Sequence, residues 1–240
     1  MHGVPPIAPL TVVTGHYGTG KTNLSINLAL DALATYPSVT LVDLDVVNPY
    51  FRSSDYAAML EARGVHVVAP TFAGTTLDVP SLSPAVSGAL ESAGAVIVDA
   101  GGDDVGATAL GRFSRQIKAT DYAMLYVINR YRNLTTTPRE AAVLLGEIES
   151  ASHLRATAVA NNSHLKAETT AETILESLPF ARETAALLGL PLAFTTVPVA
   201  LAGAFSGDPG AATYVENAYP VETHVRTPWE ESAAGTEEAW

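Results

Sequence analysis

The chain has 240 residues, 48% of them apolar, with 25 Asp and Glu against 13 Lys and Arg, a formal charge of −12, and no cysteine. Lack of cysteine excludes disulfides, thiolate-held zinc and iron–sulfur clusters, and the acidic balance argues against general binding to a nucleic-acid backbone. No apolar run reaches the roughly eighteen residues that span a bilayer. The start, Met1-His2-Gly3-Val4-Pro5-Pro6, lacks the basic and apolar segments of a signal peptide, so the expectation is a cytoplasmic chain with no membrane anchor.

Leu10 to Thr14 reads as a buried strand. A glycine-rich loop follows, then a helix from Thr22 with a broad apolar face (Leu24, Ile26, Leu28, Leu30, Leu33) that Pro37 must stop. Val39 to Leu44 is a second strand, Ser54 to Arg63 a short helix closed by Gly64, and Val65 to Val68 a third strand. A Pro/Gly/Thr-rich link from Pro70 to Pro80 leads to Ser83-Pro84, an N-cap with proline at the first helical position. Ala95 to Asp99 and Tyr122 to Ile128 are further strands, and Thr137-Pro138-Arg139-Glu140 is a capping box opening a helix to about Ser150. Strand Ala156 to Ala160 runs into Asn161-Asn162, and Thr169 to Glu172 forms a second capping box. Its helix is expected to break near Pro179 and resume to Gly189 before strand Leu192 to Thr196. Strands alternating with helices imply an α/β fold, a doubly wound, mostly parallel sheet with helices on both faces. Periodicity fades from Gly207, so residues 1–206 are expected to form the domain and 207–240 an acidic tail, loosely ordered or packed on the surface.

The loop Gly15-His16-Tyr17-Gly18-Thr19-Gly20-Lys21-Thr22 fits the phosphate-binding pattern of two glycines, lysine and threonine between a strand and a helix. Glycines let the backbone turn its N–H groups toward phosphate, and the helix N-terminus adds partial positive charge. Gly15, Gly18, Thr19, Gly20, Lys21 and Thr22 are therefore the candidate phosphate contacts, with Thr22 also on Mg²⁺. Three acids fall at strand ends, where ligands of open α/β sheets sit: Asp43, Asp45 and Asp99. Asp99 is expected to hold the Mg²⁺ shell, with Gly102 bringing a backbone N–H to the γ-phosphate and Asp103 near the attacking water. Asp43 and Asp45 share one side of their strand; Asp45 is the one assigned to metal and water, and Asp43 is either a partner in this or structural.

With these motifs the chain resembles the MinD/ParA class of P-loop ATPases, the SIMIBI group, across about residues 10–200; Asp99-Ala-Gly-Gly-Asp103 is also similar to the switch region of the nitrogenase iron protein. The resemblance implies a Mg-dependent ATPase that dimerises around ATP and switches its affinity for a protein client. It makes Asp45 the switch I acid, Asp99 the Walker B acid and Gly102 the switch II glycine. One position departs: where the family carries a second lysine after the first glycine, this chain has His16. Either the ATP-sandwiched dimer is lost or its cross-dimer cation comes from elsewhere, with Arg52 as one candidate.

Guanine-specific relatives use N/T-K-x-D, and neither Asn129-Arg130-Tyr131-Arg132 nor Asn161-Asn162-Ser163-His164 supplies the acid. Adenine is the expected base, with Asn161 or Asn162 as its contact, a position the resemblance also implies. Two alternatives to the switch are a biosynthetic enzyme similar to dethiobiotin and cobyrinate synthetases, anchoring its substrate on Arg130, Arg132 and Lys166, and a nucleotide-binding regulator with negligible turnover.

Overall fold

The computed structural model describes residues 7–45, 52–69 and 83–225. The link expected at 70–80, Tyr50 and Phe51, and the end of the acidic tail lie outside the described residues. Eight strands form one sheet in the order β3-β2-β4-β1-β5-β6-β7-β8, with every neighbouring pair parallel. They are β1 (Leu10–Thr14), β2 (Val39–Leu44), β3 (Val65–Val68), β4 (Ala95–Ala100), β5 (Tyr122–Ile128), β6 (Ala158–Asn161), β7 (Leu192–Pro198) and β8 (Ala218–Val221). After β1 the chain builds β2, β3 and β4 on one side and then crosses to β5 on the other, so the connections reverse at β1, where a doubly wound sheet opens its ligand crevice.

Helices α1 (Lys21–Ala32) and α2 (Ala57–Ala62) cover one face. There Leu24, Ile26 and Leu28 pack on Val13, Leu41, Ile97 and Val127. The other face carries α3 (Pro84–Leu90), α4 (Asp104–Gly111), α5 (Ser114–Lys118), α6 (Pro138–Ser152) and α7 (Ala171–Leu188). Leu110, Ile117, Leu145 and Phe180 close there on Val12, Val98, Met124 and Tyr126. The central strands, buried on both faces, are continuous apolar runs for that reason. No helix among the described residues is long and apolar enough to cross a membrane.

Three local expectations are corrected. Helix α7 does not break: Pro179 lies within it, on the exposed side, where water can take the bond that its missing N–H withholds. Its capping box is one residue later than expected, with Thr170 and Thr173 as the reciprocal pair, because Thr169 turns its hydroxyl to the Lys166 carbonyl at 2.7 Å. The stretch expected as a tail from residue 207 supplies β8, paired in parallel with β7. Tyr219 of β8 is 1% exposed, meets the Phe194 ring edge-on at 5.1 Å and donates its hydroxyl to Asp31 at 2.6 Å.

Candidate nucleotide site

The loop between β1 and α1 is clamped between two neighbouring backbones. An ideal Cβ on Gly15 would lie 2.2 Å from the Val127 carbonyl oxygen of β5, and one on Gly102, after β4, would lie 2.0 Å from the Gly15 carbonyl oxygen. Neither position has space for a side chain. Gly20, at φ +85°, is the left-handed N-cap of α1, and no side chain caps this helix. Its first N–H groups are left to face an anion. The His16 carbonyl accepts from the Thr19 hydroxyl at 2.8 Å and from Lys21 Nζ at 3.2 Å, so the buried Lys21 ammonium lies back along the loop it would leave for phosphate.

The acids divide their roles. Asp43 accepts from the Ser54 N–H at 3.0 Å, the Ser54 hydroxyl at 2.6 Å and the Asp45 N–H at 3.2 Å, which makes it a structural tie. Asp45 is 7% exposed and lines the cleft beside the loop. Asp99 is fully buried; Ser25 donates to its Oδ1 at 3.3 Å, whereas its Oδ2 has no hydrogen-bond partner among the described residues. Burial, then the negative charge of Asp43, raises the Asp99 pKa to about 7, against which Lys21 and the Thr22 hydroxyl favour the ionised form. No group of three or more His, Cys, Asp or Glu among the described residues could hold a metal by itself. Mg²⁺ takes one or two carboxylates and completes its shell with water and phosphate. An orphaned oxygen on Asp99 beside Thr22 fits such an ion. Asp103, expected near water, is the N-cap of α4, its Oδ1 accepting from the Gly106 N–H at 2.7 Å.

From the loop a cleft of about 290 Å³ runs across the ends of β5, β6, β7 and β8. Asn161 is not in its wall: it is 0% exposed, donates to Ser177 at 2.9 Å and accepts from Ser163 at 2.7 Å. Its expected base contact is corrected on that ground. Asn162 does line the cleft, but its Nδ2 donates to the Thr19 carbonyl at 2.6 Å and its Oδ1 accepts from the Thr196 hydroxyl at 2.6 Å. Both ends of its amide are engaged, and it braces the phosphate loop. Since Thr196 donates to Asn162, its hydroxyl oxygen must accept from His164 Nε2, 2.7 Å away. The chain of bonds fixes Nε2 as the protonated nitrogen. Burial keeps the ring neutral, its pKa lowered to about 4. Of the three expected cations, Arg132 and Lys166 line the cleft, while Arg130 turns to the Glu176 carbonyl of α7.

Sequence reasoning did not find the far wall, which is Val221, Thr223 and Val225. The segment after β8 is strapped to α1. Asn27 exchanges two bonds with Glu222 at 2.9 and 2.8 Å, and Asn23 accepts from the His224 and Val225 N–H groups at 2.8 and 3.2 Å. The available signal was two asparagines at i, i+4 spacing directly after the loop, a polar stripe suited to an extended partner.

No family model matches the chain, and no curated protein matches it. Solved structures do. FtsY from Thermotoga maritima is 21% identical, with a TM-score of 0.50 over 82% of this chain and 64% of that one. FtsY from Mycoplasma mycoides is 15% identical, with a TM-score of 0.52 over 80% and 60%. Chloroplast FtsY from Physcomitrella patens is 15% identical, with a TM-score of 0.51 over 81% and 60%. The chain thus spans about three fifths of the length of the structures it matches. At these identities the likeness concerns architecture. With its parallel eight-stranded sheet and glycine cradle after β1, the chain has the P-loop nucleoside triphosphatase fold.

Proposed function

We propose that this chain binds a purine nucleoside triphosphate with Mg²⁺ and hydrolyses it, as a nucleotide-dependent switch of the MinD/ParA type acting on a protein client. The observation that carries the reading is the uncapped N-terminus of α1 behind the loop glycines, opening on a cleft that Lys21, Thr22 and Asp45 line, with an Asp99 oxygen that has no partner among the described residues buried nearby. Gly15, Gly18, Thr19, Gly20, Lys21 and Thr22 hold the phosphates. Lys21 leaves the His16 carbonyl for the β- and γ-oxygens. Asp99 and Thr22 would hold the ion, which would neutralise phosphate charge there. Asp45 orients the attacking water, with Asp103 nearby, and Gly102 presents its N–H where no side chain intervenes.

ATP is the proposed nucleotide. Among the described residues the cleft has no carboxylate beyond Asp45 at its phosphate end, whereas a guanine edge is best met by an acid accepting two N–H groups. The partner proposals are a homodimer formed with ATP and an unidentified client.

Binding of Mg-ATP and Mg-GTP by calorimetry tests the site. ATP should bind more tightly, and Lys21→Ala should weaken it about tenfold or more; equal affinity in that variant would remove the loop from the reading. Light scattering on Asp45→Ala then tests the switch, which requires the dimer with ATP and the monomer with ADP.

A further inference from the structure

Arg132 stands on the turn after β5, and that turn is built to hold it. Its N–H donates to the Asn129 carbonyl at 3.2 Å, and its carbonyl accepts from the Thr135 N–H and hydroxyl, each at 3.3 Å. Asn129 locks the turn from inside by accepting from the Tyr131 N–H at 3.0 Å. The side chain then runs along the phosphate loop at Gly18: a Cβ there would stand 3.5 Å from Arg132 Nε and 3.7 Å from Cζ. Gly18, at φ +75°, both makes the turn and leaves the guanidinium its path.

Two further observations point to a ligand. Arg132 Nε is shielded from solvent and has no acceptor among the described residues, an arrangement that costs free energy unless something else accepts. The loop itself also supplies only one cation. Besides Lys21 it carries only His16, whose pKa is lowered by burial and by the charge of Lys21.

We propose that Arg132 is the second phosphate-binding cation of this site, donating from the same chain to the polyphosphate that Lys21 binds from the other side. The inference rests on the nucleotide reading above. A guanidinium suits the task because its planar N–H groups meet two phosphate oxygens at once. The phosphate site is then complete within one chain, and dimerisation serves the client and not the charge balance.

The test uses the whole chain with Mg-ATP and, as a probe lacking a base, Mg-tripolyphosphate. Arg132→Met keeps the apolar stem along Gly18 and removes the charge. It should weaken both ligands about tenfold or more while the ligand-free melting temperature holds. Arg132→Lys should fall between that variant and the wild type. In the native chain, Mg-tripolyphosphate alone should shift the Arg132 Nε–H resonance and protect it from exchange, a readout that needs no variant to fold. Unchanged ATP affinity in Arg132→Met overturns the proposal. So does a loss confined to ATP with tripolyphosphate unaffected, which would put Arg132 on the base. If Lys21→Ala also leaves ATP binding intact, the nucleotide reading falls as well; if Lys21→Ala abolishes binding and Arg132→Met does not, only the role of Arg132 fails.

Discussion

The two ends of the cleft are made in opposite ways. The phosphate end is eight consecutive residues, Gly15 to Thr22, whose shape follows from backbone conformation and from the absence of Cβ atoms. The far end is assembled from Asn129, Asn162, His164, Pro198 and Val221, one or two from each of several strand ends, held by side-chain bonds such as Thr196 to Asn162 and Asn27 to Glu222. A local cradle fails all at once when its geometry is disturbed. A wall of separate pieces fails by degrees, because each tie is worth only about 1 kcal/mol.

That contrast can be tested from its strongest consequence downward. Gly102→Ala forces a Cβ to within 2.0 Å of the Gly15 carbonyl and should abolish nucleotide binding, whereas Gly146→Ala, with nothing within 4 Å, should leave affinity and melting temperature unchanged or raise the latter. Normal binding by Gly102→Ala would show the cradle to be pliable. Next, Tyr219→Ala removes a buried ring and its bond to Asp31. It should cost about 3–5 kcal/mol in urea unfolding, with a cost below about 1 kcal/mol showing that β8 is dispensable to the fold.

A pH scan addresses the relay. His164 has its folded pKa lowered from 6.5 to about 4. Between those values the unfolded chain binds the extra proton, so stability present above pH 6.5 is lost as pH falls through that window, by at most about 1.4 kcal/mol per pH unit. His164→Asn should flatten this part of the thermal-stability profile, and an identical profile in the variant would assign the slope to other groups. The smallest effect is that of Asn23→Ala, about 1–2 kcal/mol, with a several-fold loss of nucleotide affinity through the strap; an unaltered affinity would separate the strap from the site.

The same contrast explains what was legible in the sequence. The strands β1 to β5 follow from apolar runs, and the phosphate loop from its spacing, because both signals are local. Strand β8 was illegible: it has four residues, Ala-Tyr-Pro-Val, and Pro220 argues against a strand unless it lies at an edge, which is where β8 sits. Asn161 and Asn162 were read as base contacts because they follow a strand, but only the fold shows that Ser177, Thr195 and Thr19 take up their amides. No local pattern marks His164, because its role depends on Thr196, 32 residues away. Pro179 misled for the opposite reason, a strong local rule overridden where one helix face meets water.

The strap also sets an order of events during synthesis. Asn23 and Asn27 bond to residues 195 to 202 positions further along the chain. At translation rates of about 5–20 residues per second, the phosphate loop leaves the ribosome about 10–40 seconds before the wall that faces it. Until β8 docks, the side of the cleft lined by Val221, Thr223 and Val225 is missing. Any ligand that needs both walls therefore selects the finished protein over the growing one, and by binding it stabilises a contact that closes a loop of about 200 residues.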